Sequence, residues 1–380
     1  MKQVQGTSYN VKQDIVGRIT FSNKNILNRN KDILVCNNIN KATFGYLAII
    51  AESASFNNTE KPYCIVKNID SFKEGDVVVI NNKGEIIFVY EIDSNHNALF
   101  ATERCNHRCI MCPQPPVANE ISKTPFNLNL ISLMSKNTKE IGITGGEPTL
   151  IGEDLFILIK HIKKELPKTA ISLLSNGVKF ADKEFTVNLV KCLHQDLQID
   201  IPLFSDIAKI HNKIVGAKTF YRTVQGLYNL ALFNQKIGIR IVVHKQTYKR
   251  LPQFADFVYH NFPFVSQVAF MQMETIGLAK ENFNELWIDP YDYKEELREA
   301  VLLLADRGMR PLIYNSQLCI IPEDIREFSV QSISDWKDIY LPECEGCVLK
   351  GKCAGFFESN KHHLSKYIRK VEIISHDICS

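Results

Sequence analysis

The chain reads as an α/β protein with a small all-β domain ahead of the α/β core and a cysteine-rich module behind it. Three observations predict this order. Residues 1–97 are rich in β-branched and aromatic runs and poor in helical periodicity. Residues 98–311 alternate short apolar strands with helical stretches, the pattern of parallel βα units. Residues 312–380 lose that alternation and carry a group of cysteines. A length of 380 residues, 45% of them hydrophobic and 23% charged, suits a soluble globular protein with a sizeable core. The net charge is only +3 and like charges do not run together, which argues against nucleic-acid or membrane-surface binding. No apolar run reaches the roughly 18 residues of a membrane span. The opening MKQVQGTSYN lacks the apolar stretch of a signal peptide, so a cytoplasmic location is expected.

Within the first domain, strands are expected over Asp14–Phe21, Asp32–Asn37, Ala42–Glu52 and Pro62–Ile69. A hairpin is expected from Asp76–Ile80 to Glu85–Tyr90 around the turn Asn81-Asn82-Lys83-Gly84. The core strands are Asn97–Thr102, Glu140–Thr144, Thr169–Leu174, Leu197–Leu203, Gly238–His244 and Gln267–Met273. A helix over Tyr291–Arg307, with Gly308 as its C-cap, leads into an irregular tail from Pro311.

Eleven cysteines in a chain without secretory features read as metal ligands and buried thiols rather than disulfides. Cys105, Cys109 and Cys112 form Cys-x3-Cys-x2-Cys, three thiolates on one short loop after a buried strand. That is one ligand fewer than a closed four-cysteine site needs, so an iron–sulfur cluster held there keeps one iron open to a ligand that is not protein. A zinc knuckle fits the stagger poorly. Cys344, Cys347 and Cys353 form a second group, with Cys319 upstream and Cys379 downstream as isolated cysteines; zinc is the alternative metal for this tail. Cys36, Cys64 and Cys192 read as small buried hydrophobes. In Gly145-Gly146-Glu147-Pro148 the glycines leave backbone groups open to close approach by a ligand and the proline sets the direction of the chain. Arg240 is an inward-facing cation for a carboxylate, or else one half of a surface salt bridge. The ten histidines, His107 and the pair His362-His363 among them, read as surface residues.

The cysteine loop and the glycine turn, in this order, resemble the radical S-adenosylmethionine (SAM) enzymes. The resemblance implies a partial (β/α)6 barrel, with its motifs gathered at the C-terminal ends of the strands. It implies a [4Fe-4S] cluster on Cys105, Cys109 and Cys112 whose open iron is chelated by SAM, and one-electron cleavage of SAM to a 5′-deoxyadenosyl radical that removes a hydrogen atom from the substrate. It further implies SAM contacts at Met111, beside the adenine, and at Gly145, Gly146, Glu147 and Pro148, around the methionine amino group. Ser175 and Asn176 would serve the ribose, Ser205 the ribose or carboxylate, Arg240 the carboxylate, and the segment ending in Gly277 the adenine. The reductant is expected to be a flavodoxin or ferredoxin type donor.

The tail group, running on as Cys353-Ala354-Gly355-Phe356-Phe357, resembles the auxiliary-cluster SPASM and twitch modules of radical SAM peptide-modifying enzymes. This implies a second Fe–S cluster with Cys319 as fourth ligand, Cys379 being the second choice; Phe357 stands where a full SPASM domain has another cysteine. Several phrases together resemble the maturases of the His-Xaa-Ser peptide system, HxsC branch. They are Gly75-Asp76-Val77-Val78, Asn97 to Asn106, Cys112-Pro113-Gln114-Pro115-Pro116, Ser332 to Lys337, and Cys353 to Phe357. That resemblance implies a ribosomally made precursor peptide with His-Xaa-Ser repeats as substrate, and a partner radical SAM maturase. An exposed edge of the β domain would suit such a peptide by strand addition. The alternatives are a radical SAM enzyme acting on a small molecule or nucleoside, and a non-catalytic Fe–S or zinc binding protein.

Overall fold

The computed structural model describes residues 2–22, 29–39, 45–54, 61–118, 120–334 and 337–372. They fall into two compact units that interleave along the chain: 1–101, 122–143 and 153–171 in the first, and 102–121, 144–152 and 172–380 in the second.

The first unit contains a closed barrel of seven strands in the order β1-β5-β4-β3-β2-β6-β7. Their ranges are β1 Gln3–Tyr9, β2 Ile15–Thr20, β3 Asp32–Ile39, β4 Ala48–Ala54, β5 Tyr63–Val66, β6 Val77–Ile80 and β7 Glu85–Tyr90. The expected hairpin is present as the antiparallel pair β6 and β7. At its turn Gly84 has φ +80, and a Cβ there would lie 2.2 Å from the Gly6 carbonyl oxygen, so only glycine fits. Ile19, Ile33, Val35, Ile50, Val78, Ile80, Ile86 and Phe88 fill the interior, as alternation across β-branched strands requires. β1 was not expected. Its residues QVQGTSY include no fully buried side chain, yet it closes the barrel between β5 and β7. The start of the expected strand Ala42–Glu52, residues 42–44, lies outside the described residues.

From residue 98 strand and helix alternate. The order is β8 Ala98–Phe100, α1 Thr124–Leu133, β9 Glu140–Thr144, α2 Glu153–Glu165, β10 Ala170–Leu174, α3 Lys183–Val190 and β11 Leu197–Pro202. It continues through α4 Ala208–Val215, α5 Phe220–Ala231, β12 Lys236–Val243, α6 Leu251–Asn261 and β13 Gln267–Gln272. Two short helices, α7 Leu278–Glu281 and α8 Phe283–Leu286, precede α9 Lys294–Asp306. Gly308, with φ +74, ends that last helix as expected. In the second unit β11, β12 and β13 are parallel neighbours, and β12, KIGIRIVV, is buried along most of its length as a central parallel strand should be.

The irregular tail expected from Pro311 is corrected here. Pro311–Tyr314 is a strand, β14, paired in parallel with β13, and Ser329–Val330 adds β15 beside it. Pro311 stands at the first position, where its missing N–H removes no interior ladder bond. A small antiparallel pair, β16 Asp338–Ile339 and β17 Phe356–Phe357, follows. Among the described residues no helix is long and apolar enough to cross a membrane.

Candidate functional site

Each motif falls at the C-terminal end of a strand. The cysteine loop follows β8, the glycine turn β9, Ser175-Asn176 β10, and Ser205 β11. At the neck of the cysteine loop, Thr102 Oγ1 donates to Glu120, Glu103 N donates to the same carboxylate at 2.6 Å, and Val117 N reaches Glu103 O at 3.1 Å. Beyond the neck the loop is held from outside. Arg108 N donates to Val215 O and Ile110 N to Ile214 O, each at 3.0 Å, at the end of α4. On the other side Leu278 N donates to Cys112 O at 2.9 Å and Asn282 Nδ2 to Ile110 O at 2.9 Å. Backbone bonds from two directions fix the path on which the three thiols stand.

Burial pushes the Cys105 thiol up to about 11, with Glu147 and Cys112 adding to the rise. Cys109 is pushed up to about 12 by burial and by Cys112 and Cys105. Cys112 is raised by burial as well. The three thiols therefore share one electrostatic environment, in which a bound cation is what makes three thiolates affordable.

The glycine turn departs from its expected use. A Cβ on Gly145, whose φ is +146, would sit 2.3 Å from Thr102 O, and one on Gly146 would sit 2.2 Å from Arg104 O. Gly146 N donates to Thr102 O at 2.7 Å and Glu147 N to Arg104 O at 2.8 Å. The close approach comes from the backbone of the cysteine loop itself, and these two amides are engaged there rather than held open for a ligand.

Glu147 is the hub of the site, a role its motif did not reveal. It is 1% exposed. Its carboxylate accepts from Thr149 N at 3.0 Å, Thr149 Oγ1 at 2.6 Å, Ser175 Oγ at 2.7 Å and Asn176 N at 2.6 Å. Burial raises its pKa against the opposing pull of those bonds. Pro148 opens the short 3-10 turn that brings Thr149 back to it. Asn176 Nδ2 then donates to Asn106 Oδ1 at 2.6 Å, inside the cysteine loop. Three loops are thus tied through one buried carboxylate.

Ser205 is buried; its hydroxyl donates to Asp206 at 3.2 Å and accepts from Ile207 N at 3.0 Å. Asp206 pairs with Arg250, whose Nε lies 2.9 Å away. Burial works against ionisation of Asp206, but the Arg250 bond and charge prevail and its pKa is lowered. Arg240 makes no surface salt bridge among the described residues. Its half-buried guanidinium instead points Nε and Nη2 at the Met271 sulfur, 3.2 Å from each, a weak acceptor for a strong cation. Met111 is buried. Gly277, φ +56, packs so tightly on the cysteine loop that a Cβ would be 2.4 Å from Pro113 O and 2.6 Å from Cys112 O.

The surface reading of the histidines is corrected at three positions. His107, His211 and His244 are buried, and burial pushes each down to about 4. His107 Nε2 bonds the Thr219 hydroxyl at 2.9 Å, and His211 Nδ1 accepts from Phe204 N at 3.3 Å while its ring packs on Phe204 and Phe220.

In the tail, Cys319, Cys344, Cys347 and Cys353 line one space, with Tyr340 and Arg369 beside them. Leu318 N donates to Cys353 Sγ at 3.5 Å, which favours that thiolate, and Val371 N donates to Cys347 Sγ at 3.4 Å. Burial still raises Cys319 and Cys353, and in each case the other tail thiols add to the rise. Cys319 stands with the three-cysteine group; Cys379 lies outside the described residues, as do Asp335 and Trp336. Among the described residues no three cysteine, histidine or acidic side chains converge closely enough to grip a single metal ion.

Residues 99–258 match the Radical SAM superfamily. The chain carries a radical SAM domain. Among curated proteins, GTP 3′,8-cyclase of Desulforamulus reducens is 27% identical over 199 residues, 50% of this chain and 58% of that protein. Fe-coproporphyrin III synthase of Methanosarcina barkeri is 26% identical over 214 residues, 54% of this chain and 49% of that one. The chain thus spans about half the length of these relatives. The solved structure of native anSMEcpe with bound AdoMet is similar at a TM-score of 0.46 and 18% identity, over 57% of this chain and 62% of that one. A radical SAM methyltransferase from Sphaerobacter thermophilus has a TM-score of 0.44 and 10% identity, over 65% and 75% of the two chains.

Proposed function

We propose that this protein is an enzyme that reductively cleaves SAM. One observation carries the reading: within a radical SAM domain, three half-buried thiols on one loop are tied through Glu147 to the next two strand ends. The donor set fits the implied cofactor, since three soft anionic ligands, with no fourth cysteine beside them among the described residues, suit a cluster that keeps one iron for SAM. Cys105, Cys109 and Cys112 would hold a [4Fe-4S] cluster, which when bound supplies the electron that cleaves SAM to 5′-deoxyadenosyl radical. Arg240, whose side chain has only a thioether partner among the described residues, would take the SAM carboxylate. Glu147 would position the loop. Met111 and the segment at Gly277 would border the adenine, and Asn176 and Ser205 the ribose side.

In the same reading Cys319, Cys344, Cys347 and Cys353 hold a second cluster in the tail. Four thiols around one space, with backbone N–H groups directed at two of the sulfurs, support it. On substrate, the names of the two curated relatives, GTP 3′,8-cyclase and Fe-coproporphyrin III synthase, favour a small molecule. A second reading, a His-Xaa-Ser precursor peptide modified beside a partner maturase, is favoured by phrases outside residues 99–258, at Gly75–Val78, Ser332–Lys337 and Cys353–Phe357.

The test is anaerobic reconstitution with iron and sulfide, reduction by dithionite, and measurement of 5′-deoxyadenosine. No 5′-deoxyadenosine leaves the non-catalytic metal-protein alternative. Given cleavage, coexpression with a precursor peptide encoded beside the gene and with the partner maturase, followed by peptide mass spectrometry, separates the substrates. A defined mass loss supports the peptide. An unchanged peptide supports the small molecule.

A further inference from the structure

Reductive cleavage needs one electron per turnover from outside the chain, and the outer side of the cysteine loop carries a concentrated positive charge. From Ile207 to Thr223 the sequence holds Lys209, Lys213, Lys218 and Arg222 and no acidic residue. Arg108, from the cysteine loop, adds a fifth cation beside them. All five are exposed, and none of their side chains makes an ion pair or hydrogen bond among the described residues. The nearest carboxylate in sequence, Asp206, is held by Arg250. Lys209, Lys213 and Lys218 rim one shallow open depression floored by Gly216 and Ala217, and the exposed rings and methyls of Tyr221 (76% exposed) and Ile207 (39%) lie within the same stretch. Unpaired cations around apolar contacts are the composition of a docking surface for an acidic protein.

Its position gives the partner. The end of α4 is bonded directly to the two residues that flank Cys109: Val215 O takes Arg108 N and Ile214 O takes Ile110 N. A Cβ on Gly216 would lie 2.9 Å from Arg108 O, so the floor of the depression rests on the loop itself. His107, two residues before Cys109, bonds Thr219 on the same stretch. The depression therefore lies against the backbone of the residues on either side of Cys109.

We propose that Arg108, Lys209, Lys213 and Lys218 form the docking face for a small acidic one-electron carrier protein of ferredoxin type, which delivers its electron past Cys109. The inference rests on the SAM-cleaving function proposed above. The carrier's centre is oxidised by one electron, the cluster held by Cys105, Cys109 and Cys112 is reduced by that electron, and no proton moves in the transfer. Electrostatic steering raises the encounter rate and makes docking salt-sensitive.

The test uses the full chain and an acidic [2Fe-2S] ferredoxin as probe. With immobilised ferredoxin, biolayer interferometry should show binding that weakens as salt rises. K209E/K213E/K218E should bind about tenfold more weakly or worse. 5′-Deoxyadenosine formation driven by reduced ferredoxin should fall by a similar factor, while formation driven by dithionite, which needs no docking face, stays unchanged. Affinity equal to that of the unaltered protein, or no ferredoxin binding by the unaltered protein at low salt, overturns the proposal. So does the finding, with a single-stranded oligonucleotide as second probe, that the triple reversal weakens oligonucleotide binding and leaves ferredoxin binding unaltered. If the triple reversal fails to fold, K209Q/K213Q/K218Q carries the same comparison with a smaller loss. Absence of 5′-deoxyadenosine from the unaltered protein with dithionite counts against the function itself and leaves the binding result to be judged on its own.

Discussion

The two cysteine sites of this chain gather their thiols in different ways. The first takes three from a single short loop, held by backbone bonds from the end of α4, from the start of α7 and from the glycine turn, and by the Asn282 side chain between α7 and α8. The second takes four, from the turn after β14 and from two later turns, around one space. A three-thiol site leaves a position for a ligand from solution, and a four-thiol site is complete without one, the same contrast that separates open catalytic metal sites from closed structural ones. Support differs in kind: the first loop is held mainly through backbone amides and carbonyls, whereas in the tail side chains hold the turn, Gln331 Nε2 and Tyr340 Oη donating to Cys353 O at 3.0 and 2.8 Å.

The sharpest way to break this contrast is to remove each site in turn. The unaltered protein, reconstituted anaerobically, should bind about eight irons and eight sulfides. Changing Cys105, Cys109 and Cys112 together to Ala should leave about half the iron and abolish 5′-deoxyadenosine formation. Changing Cys344, Cys347 and Cys353 together to Ala should also leave about half the iron but retain reductive SAM cleavage. Cleavage surviving in the first variant would end the assignment of an open site. Zinc in place of the tail's iron would make the second site a structural clip.

Support of the loop can be tested without touching a thiol. In Gly146→Ala the new Cβ would meet Arg104 O at 2.2 Å, a contact with backbone that cannot swing aside. The cysteine loop must shift, and a displacement near 1 Å at a reacting centre costs about a hundredfold in rate. Gly152→Ala is the control, since nothing lies within 4 Å of a Cβ there and only its φ of +64 is strained. SAM cleavage should fall far more in the first variant than in the second; equal effects would mean the glycine turn does not hold the loop.

In the tail the corresponding test is ligand choice. Cys319→Ala should lose the tail iron, about four per chain, with SAM cleavage retained. Cys379→Ala should keep it. The reverse result, read by iron analysis and electron paramagnetic resonance, would remove Cys319 from the site despite its place in the space.

Local spacing was legible and long-range partnership was not. The strand Glu140–Thr144 lies where its apolar alternation puts it, and the cysteine loop and glycine turn follow the strands expected to carry them. β14 escaped notice because PLIY is four residues long, begins with proline and draws its register from β13. β1 escaped because its side chains alternate between exposed and half-buried, so no apolar run marks it. Glu147 looked like part of a ligand-binding turn because its partners Ser175 and Asn176 come from the next strand end. The buried histidines were hidden for a related reason. His211 is enclosed by Phe204 and Phe220, and only the folding of two helices and a loop brings those rings together.

Those histidines supply the smallest test, one of the first site's scaffold against acid. His211 sits in α4, the helix whose end holds the cysteine loop, and His244 follows β12; burial pushes both down to about 4 from an ordinary 6.5. Between these values the unfolded chain binds more protons than the folded one, so stability is fully present above the unfolded value and is lost as pH falls through the window toward 4. A shift of that size is worth at most about 3 kcal/mol per group. The denaturation midpoint of the metal-free protein should therefore drop steadily from pH 7 to pH 4.5. In His211→Phe the ring site stays filled between Phe204 and Phe220 while the titrating group is gone, at the cost of the bond from Phe204 N. That variant should start less stable at pH 7 and show a shallower decline, and hydrogen exchange should show the flattening at residues 105–112 rather than at 344–353. An undiminished slope would mean that His211 is already protonated or solvated in the folded protein, and that the scaffold of the first site is not what acid attacks.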